Sequence, residues 1–286
     1  MKHFYIVTNR LKDQDLGVTR DVVNYLEQNG CTCRTSEREV AEELCTGHAS
    51  PEDVPPETEC ILVLGGDGSM IRAAGDLRER QIPIFGINLG TLGFLAEVGR
   101  EERYAALDSL IRDRYTVEHR MMLHGEVFRN GKLIGEGDAL NDIVIAREKG
   151  LKVLQLNTYV NGSFLSTYRA DGMILASATG STGYSLSAGG PIISPDADLF
   201  VMTPLCAHTI STRSIILPPE NRITVEVITD KDGVELTAMA YFDGEVTVPL
   251  VTGDRVLISR AKQDTRIVKI HDSSFLETLR KKMHAI

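Results

Sequence analysis

The sequence lacks any continuous apolar stretch of about 20 residues, the length that a membrane-spanning helix needs. Its first apolar run, residues 4–7, is too short for the core of a secretory signal peptide. The five cysteines are odd in number and form no Cys-x-x-Cys pair, so neither a disulfide framework nor a zinc site is indicated. We therefore expect reduced thiols in a cytoplasmic protein that binds no membrane.

Positive charge is also scarce, because 31 Lys and Arg face 40 Asp and Glu, a formal net charge of -9. Nucleic-acid-binding surfaces select for clustered Lys and Arg, so we expect no nucleic-acid partner. A local pocket for a phosphorylated small molecule remains compatible with this charge, since it needs only a few correctly aimed groups. The 286 residues, 42% of them hydrophobic, suffice for two domains with buried cores.

Strand and helix patterns alternate in the first third of the chain. The apolar runs and the helical spacing predict strands at residues 4–8, 60–64 and 82–87 and helices at residues 17–28, 69–80 and 101–112. Strands that alternate with helices predict an open parallel sheet with crossover helices. We assign this α/β domain to residues 1–113.

Short strands and turn signals dominate the next part of the chain, residues 114–262. Asn130-Gly131 and Asn161-Gly162 each lie between two apolar runs, which is a strong hairpin signal. Further strands are predicted at residues 223–228, 235–242, 246–251 and 255–259, with one helical interruption at residues 181–188. This spacing predicts a β-sandwich-like domain, and a last helix is predicted at residues 273–283.

The strongest chemical signal is the segment Gly65-Gly66-Asp67-Gly68-Ser69, between a buried strand and a helix. Glycines there let the backbone approach a phosphate, and ligands of open α/β sheets bind beyond the carboxyl ends of strands. Asp67 would repel phosphate, which becomes useful if it takes a proton from an attacking hydroxyl or helps to hold a metal. The alternative is a tight turn with Asp67 as a helix cap.

Three other segments could contact a ligand. Residues 88–95 form a second Gly-rich turn, which is alternatively a structural turn with Phe94 in the core. Asn141-Asp142 could recognise a ribose or a base, but these residue types are also usual in a turn before a strand. Residues 168–191 combine Arg169 with hydroxyls and glycines, and their alternative is a flexible linker. The lone His208 is assigned no role.

The chain resembles the NAD kinases in the order and spacing of these segments: residues 65–69, residues 86–95, Asn141-Asp142 and residues 171–191. The Gly-Gly-Asp-Gly turn alone is shared with phosphofructokinases and diacylglycerol-type lipid kinases, whereas Asn141-Asp142 with residues 179–191 is specific to NAD kinases. The resemblance extends from about Phe4 to the terminal helix. It implies an NAD kinase/diacylglycerol kinase-like fold, in which a terminal segment, residues 263–286, returns to the N-terminal domain.

The resemblance also implies an activity, the transfer of a phosphoryl group from ATP to the 2′-hydroxyl of the adenosine ribose of NAD. Asp67 would be the general base in a cleft between the two domains. The remaining ligand-binding positions that the resemblance implies are Gly68, Arg72, Phe94, Asn141, Asp142, Lys152, Arg169, Asp171, Thr182, Gly183, Tyr184, Ser185, Leu186, Ser187 and Glu245. It further implies a divalent metal, usually Mg²⁺, a homodimer or homotetramer in which a neighbour completes the site, and in some members polyphosphate as donor.

The two alternatives to an NAD kinase are another kinase of the same superfold and a non-catalytic sensor. A phosphofructokinase would need further sugar-phosphate motifs, and a lipid kinase a basic or apolar membrane-docking face, and the sequence offers neither. A non-catalytic sensor that binds NAD or NADP is the alternative from a different class. The presence of Asp67 favours catalysis over sensing.

Three positions depart from the commonest NAD kinase pattern: Ser69 where Thr is frequent, Asp142 where Glu is frequent, and Glu245 where Gln is frequent. The first two keep the chemistry of the side chain, whereas Glu245 adds a negative charge.

We expect Glu245→Gln to change the preference between NAD and NADP, because the added carboxylate would repel the 2′-phosphate of NADP. Affinities for both dinucleotides, measured by calorimetry on both proteins, test this prediction. Unchanged affinities in the variant would show it to be wrong.

Overall fold

The computed structural model describes residues 1–36, 49–91, 93–148, 152–209, 212–270 and 275–283. The chain divides into two compact units, a first unit of Met1–His119 with Thr265–Ile286 and a second unit of Arg120–Asp264. None of the helices in these ranges is long and apolar enough to cross a membrane.

The regular elements are numbered in chain order. The helices in the described ranges are α1 (Gly17–Gln28), α2 (Asp67–Asp76), α3 (Arg103–Ile111), α4 (Tyr184–Ser187) and α5 (Phe275–Met283). The strands are β1 (His3–Thr8), β2 (Thr32–Thr35), β3 (Cys60–Gly65), β4 (Ile84–Asn88), β5 (Val98–Gly99), β6 (Thr116–Arg120), β7 (Leu123–Arg129), β8 (Lys132–Ala139), β9 (Asp142–Arg147), β10 (Leu154–Val160), β11 (Ser163–Ala170), β12 (Gly172–Ala176), β13 (Phe200–Leu205), β14 (Ile215–Leu217), β15 (Ile223–Ile228), β16 (Thr237–Phe242), β17 (Val246–Val251), β18 (Arg255–Arg260) and β19 (Thr265–Lys269).

The first unit is built on a sheet with the strand order β2-β1-β3-β4-β19-β6, with β5 beside β4. Strand β3 pairs in parallel with β1 and β4, and all of its residues are buried, as the wholly apolar run predicts. Helix α1 packs Val18, Val22 and Leu26 into the core. The parallel pairing brings the carboxyl ends of β1, β3 and β4 to one edge of the sheet.

Helix α2 begins two residues earlier than the predicted 69–80. Gly66 has an extended backbone and stands at the N-cap, so Asp67 is already helical. A carboxylate in the first turn also interacts favourably with the helix dipole. The helix ends at Asp76, and a 3-10 turn, Arg78–Arg80, leads to Gln81, whose left-handed φ of 50° stops it.

Strand β19 is a part of the first sheet that local sequence patterns did not predict. It pairs in parallel with β4, with Ile267 opposite Ile84. A strand of five residues far from its partner in sequence has no adjacent turn signal to mark it. The edge strand β2 was also missed, but for another reason: its four residues are mostly polar and half exposed.

The second unit contains two sheets, with strand orders β11-β10-β15-β18-β7-β8 and β14-β13-β12-β9-β16-β17. Both predicted hairpins are confirmed. Asn130-Gly131 joins β7 to β8 and Asn161-Gly162 joins β10 to β11, with positive φ angles at all four residues. The predicted α/β plus β-sandwich-like fold class is therefore confirmed.

The second sheet is covered on both faces, which explains why its central strands are apolar throughout. In β12, Met173 and Leu175 belong to the core between the two sheets, whereas Ile174 and Ala176 belong to a smaller cluster on the other face. Residues of the segment 177–199 pack against that outer cluster. This Gly-rich segment is therefore part of the packed structure and not a flexible linker.

The predicted helix at residues 101–112 is α3, one or two residues shorter at each end, and the two remaining helical predictions are partly borne out. The predicted interruption at residues 181–188 consists of a 3-10 turn, Thr179–Thr182, followed by the short α4. The predicted last helix is α5, and the proposed caps Ser273 and Ser274 lie outside the described residues.

Replacing Gly172 by alanine should destabilise the second unit by about 1–3 kcal/mol, because the new Cβ would overlap the carbonyl oxygen of Ile145 on β9. Gly75→Ala is the matched control, since a Cβ there meets nothing within 4 Å and lies inside helix α2. The control should gain about 0.5–1 kcal/mol of stability. Urea unfolding measures both changes, and equal effects would contradict the close approach at Gly172.

Candidate functional site

The Gly-rich turn of the first unit lies where β3 ends and α2 begins. The amides of Ser69 and Met70 donate to the carbonyl of Gly66 (2.9 and 3.1 Å), so the helix starts directly on the turn. Gly68 is exposed, with nothing within 4 Å of the position its Cβ would take. Arg72 is half-buried one turn further along α2.

Asp67 is bound to the second Gly-rich turn. One carboxylate oxygen, Oδ2, accepts from the amide of Phe94 at 2.7 Å. The other, Oδ1, accepts from the amides of Leu95 and Ala96, each at 3.1 Å. These three charge-assisted bonds fix the carboxylate and bring the two Gly-rich turns together. A side chain at Gly93 would overlap the carboxylate, so the close approach requires glycine there.

Phe94 is half-buried, and neither of its neighbours was foreseen from the sequence. The centroid of its ring lies 5.9 Å from the centroid of the Phe275 ring and 4.5 Å from Lys282 Nζ. Helix α5 therefore contributes to the surroundings of the second Gly-rich turn.

In the second unit, Asn141 and Asp142 are held by a carboxylate that the sequence reasoning missed. Asp243 accepts from three successive amides at 2.6, 2.8 and 3.0 Å, those of Leu140, Asn141 and Asp142. Its own amide donates back to the carbonyl of Asp142 at 3.0 Å. The sequence showed Asp243-Gly244 only as a turn signal, and the pairing of β16 with β9 makes it a support for the Asn-Asp pair.

The segment 177–190 packs against the same end of the sheet. The amide of Ser177 donates to the carbonyl of Asn141 at 2.9 Å. A side chain at Gly180 would overlap that carbonyl, and a Cβ at Gly183 would lie 3.5 Å from Asn141 Nδ2. The structure thus brings Asn141 together with the turn that contains Thr182 and Gly183.

The residues of α4 that are predicted to contact the ligand differ in the exposure of their side chains. Tyr184, Leu186 and Ser187 are exposed, and Tyr184 exposes half of its surface. Ser185 is fully buried, and its hydroxyl lies 3.2 Å from the hydroxyl of Thr203. In this structure, Ser185 therefore fastens α4 to β13.

Two carboxyls at this end of the sheet have raised pKa values. Burial, and then the charge of Asp243, raises the pKa of Asp142 to about 7. Burial raises the pKa of Asp243 to about 6, although its three amide donors lower it. Asp142 receives no side-chain hydrogen bond from the described part of the chain, so nothing of that kind offsets the effect of burial on its pKa. Glu245 is exposed in the same turn, and its charge contributes to the raised pKa of Asp243.

The structure does not bring the remaining predicted residues to this end of the strands within one chain. Asp171 lies beside Arg147, whose Nη2 atom is 3.1 Å from Asp171 Oδ2, at the far end of β9. Arg169 and Lys152 are exposed near that end, on β11 and before β10. The rise along β9 separates Asp171 from Asp142 by roughly 16 Å.

Comparisons with known proteins match both parts of the chain. Residues 4–115 match the family model of the ATP-NAD kinase N-terminal domain, and residues 140–270 match that of the ATP-NAD kinase C-terminal domain. An NAD kinase of Agathobacter rectalis is 46% identical over 283 residues, covering 99% of each chain. An NAD kinase of Lachnospira eligens is 43% identical over 294 residues, covering 99% of this chain and 100% of the relative.

Two solved structures are similar in fold. The yeast NADH kinase in complex with NADH has a TM-score of 0.82 and 25% identity, over 98% of this chain and 86% of that one. An NAD kinase from Archaeoglobus fulgidus in complex with ATP has a TM-score of 0.76 and 22% identity, over 99% of both chains. With two domain models matched and relatives similar over their whole length, the chain belongs to the NAD kinase family, whose members are phosphotransferases with an alcohol group as acceptor.

Proposed function

We propose that this protein transfers a phosphoryl group from ATP to the 2′-hydroxyl of the adenosine ribose of NAD, which yields NADP. The observation that carries the proposal is the fixed carboxylate of Asp67, inside a Gly-Gly-Asp-Gly turn, in a member of the NAD kinase family. Phosphoryl transfer requires mainly positioning and charge neutralisation, and a hydroxyl nucleophile needs one aligned base.

The hydrogen bonds of Asp67 point to one oxygen as the base. A carboxylate oxygen offers about two lone-pair positions. Leu95 and Ala96 occupy both positions on Oδ1, whereas Phe94 occupies only one on Oδ2. The ribose hydroxyl would therefore donate its proton to Oδ2, and the half-exposed position of Asp67 leaves that oxygen open to a substrate.

Members of this family generally use a divalent metal, and we propose Mg²⁺ here. When bound, Mg²⁺ neutralises charge on the donor phosphates. The residues present fit an ion that is carried mainly by those phosphates and water, because the ribose hydroxyl would take the one open lone-pair position of Asp67 and Mg²⁺ takes few protein ligands. Among the described residues, the side chains of His124, Glu126 and Glu136 lie close enough together to hold a metal ion. They stand on the β7–β8 hairpin of the second unit.

The end of the second unit that carries Asn141 would bind the adenosine part of NAD. Asn141 offers both donors and acceptors. Because the pKa of Asp142 is raised to about 7, its carboxyl can keep a proton at neutral pH and donate it to a ribose hydroxyl, or accept from that hydroxyl once ionised. Tyr184, half exposed on α4, is available to stack on a ring, and a Cβ at Gly183, the residue before it, would lie 3.5 Å from Asn141 Nδ2.

We propose that the protein is a homodimer or homotetramer. Arg169, Asp171 and Lys152 lie at the opposite end of the strands from Asn141 and Asp142. Contact between one copy's Asp171 end and another copy's Asp142 end would join both sets at one ligand. A solution mass of a single 31.5 kDa chain would contradict this arrangement. We also propose a cytoplasmic location, where the free thiols of Cys31, Cys33, Cys60 and Cys206 would stay reduced.

Asp67→Asn should lower kcat for NADP formation by at least about 10²- to 10⁴-fold, because the variant loses the base and its Nδ2 atom cannot accept from the amides that one carboxylate oxygen now accepts from. NADP formation from NAD, ATP and Mg²⁺ is measured with an NADP-specific dehydrogenase as the coupling enzyme. Binding of NAD, followed by calorimetry, should persist in the variant.

Glu101→Gln is the matched control, because it removes the same charge from an exposed position in the same unit and should leave kcat unchanged. Absence of turnover in the unchanged protein with ATP and with polyphosphate, combined with retained binding of NAD, would favour the sensor function instead.

Asp142→Asn should stabilise the unliganded protein more as the pH rises. The folded-state pKa of Asp142 lies above that of an unfolded aspartate. Between pH about 4 and about 7 the unfolded chain therefore loses this proton while the folded chain keeps it, so the free energy of unfolding falls as the pH rises. Urea unfolding at pH 5 and pH 8 should show the variant's advantage growing by about 2–3 kcal/mol.

The matched control for this measurement is Asp232→Asn, an exposed aspartate of the same unit. Its stability relative to the unchanged protein should be the same at both pH values. A pH-independent difference for Asp142→Asn would contradict the raised pKa.

A further inference from the structure

The loop between β1 and α1 runs past the Gly-Gly-Asp-Gly turn and is fastened to it. The amide of Asn9 donates to the carbonyl of Leu64 at 2.8 Å, and Asn9 Nδ2 donates to Ser69 Oγ at 3.1 Å. Asn9 is buried, and its carbonyl accepts from the amide of Lys12 at 3.0 Å. The backbone of Lys12 is thus positioned by Asn9, which contacts the chain on both sides of Asp67.

The other end of this loop is fastened to helix α1. Asp13 is 4% exposed, and its carboxylate accepts from the amides of Val18 and Thr19 at 3.1 and 2.9 Å and from the hydroxyl of Thr19 at 2.7 Å. Lys12 therefore lies between two buried, hydrogen-bonded side chains, while its own side chain is exposed.

The ammonium group of Lys12 lies over both Gly-rich turns. A Cβ built on Gly66 would be 2.8 Å from Lys12 Nζ, and one built on Gly90 would be 3.2 Å from it. The second turn is held in place by Asn88, whose Oδ1 accepts from the amide of Gly90 at 2.8 Å and whose Nδ2 donates to the carbonyl of Thr91 at 2.8 Å. Glycine at both positions keeps the backbone open to the ammonium group.

No carboxylate of the described residues forms an ion pair with Lys12. The nearby acidic group, Asp67, is instead held by the amides of the second turn. The ammonium group of Lys12 is therefore a positive charge without an anionic partner among the described residues. It lies at Gly66, the residue directly before the base Asp67.

We propose that Lys12 binds the phosphate groups of ATP, the phosphoryl donor, over the two Gly-rich turns; this inference rests on the proposed function. Transfer places several negative charges of the donor near Asp67, in a protein whose net charge is -9. A lysine ammonium serves phosphate as a compact point charge, and charge neutralisation at the transferring phosphoryl group is a main source of catalysis. No covalent step on Lys12 is involved.

Lys12→Met should raise the KM for ATP about tenfold or more, the loss expected for one charge-assisted contact with phosphate. Its KM for NAD should stay within about twofold, and Lys12→Arg should recover most of the ATP affinity. The measurement varies ATP at saturating NAD, and NAD at saturating ATP. An unchanged melting temperature in Lys12→Met would show that the exposed side chain acts on the donor and not on the fold.

Arg10→Met is the matched control, because it removes the same charge from an exposed residue of the same loop. Its KM for ATP should stay within about twofold. The proposal is overturned if Lys12→Met leaves the KM for ATP unchanged, if it raises the KM for NAD equally, or if Arg10→Met has the same effect.

Direct ATP binding separates this proposal from the proposed function. If the unchanged protein shows no turnover, calorimetric titration with ATP and Mg²⁺ still compares Lys12→Met with the unchanged chain. Weaker binding in the variant alone supports the role of Lys12 even when the kinase activity is absent, whereas equal binding overturns it.

Discussion

The carboxylate of Asp67 accepts hydrogen bonds from three successive amides, and the candidate site of the first unit depends on this contact. Each bond between an amide and a charged acceptor contributes about 1.5–3 kcal/mol, enough together to hold a Gly-rich turn in one conformation. The contact requires glycine at position 93, joins the turns after β3 and β4, and leaves one lone-pair position on Oδ2. A base that is oriented in this way needs no reorganisation when substrate arrives.

Asp243 acts in the same way in the second unit, where it holds the amides of residues 140–142. This support carries a cost, because a second carboxylate, Asp142, is buried beside it. The pKa of Asp142 rises to about 7 as a result of burial and of that neighbouring charge. A fold selected only for stability would avoid a buried carboxyl beside a second carboxylate, so the presence of Asp142 fits a residue kept for ligand binding.

Local patterns predicted those elements whose causes are local. Helix α1 has the predicted bounds because three apolar residues at helical spacing face the core. The hairpins at Asn130-Gly131 and Asn161-Gly162 formed because these residue pairs tolerate positive φ angles. The start of α2 was predicted two residues late, since the sequence does not show that Gly66 is extended and leaves Asp67 in the helix. Strand β19 escaped prediction because its partner, β4, is about 180 residues earlier in the sequence.

The sequence by itself determined the α/β and β-sandwich-like architecture, the family resemblance and the segments that carry the chemistry, because periodicity, turn residues and motif spacing are properties of neighbouring residues. Only the tertiary structure decided which side chains support those segments. Asp243 reaches Asn141 through the pairing of β16 with β9, Lys12 reaches Gly66 and Gly90 through the parallel edge of the first sheet, and Ser185 turns into the core. These contacts join residues distant in sequence, so they exist only once the strands have paired.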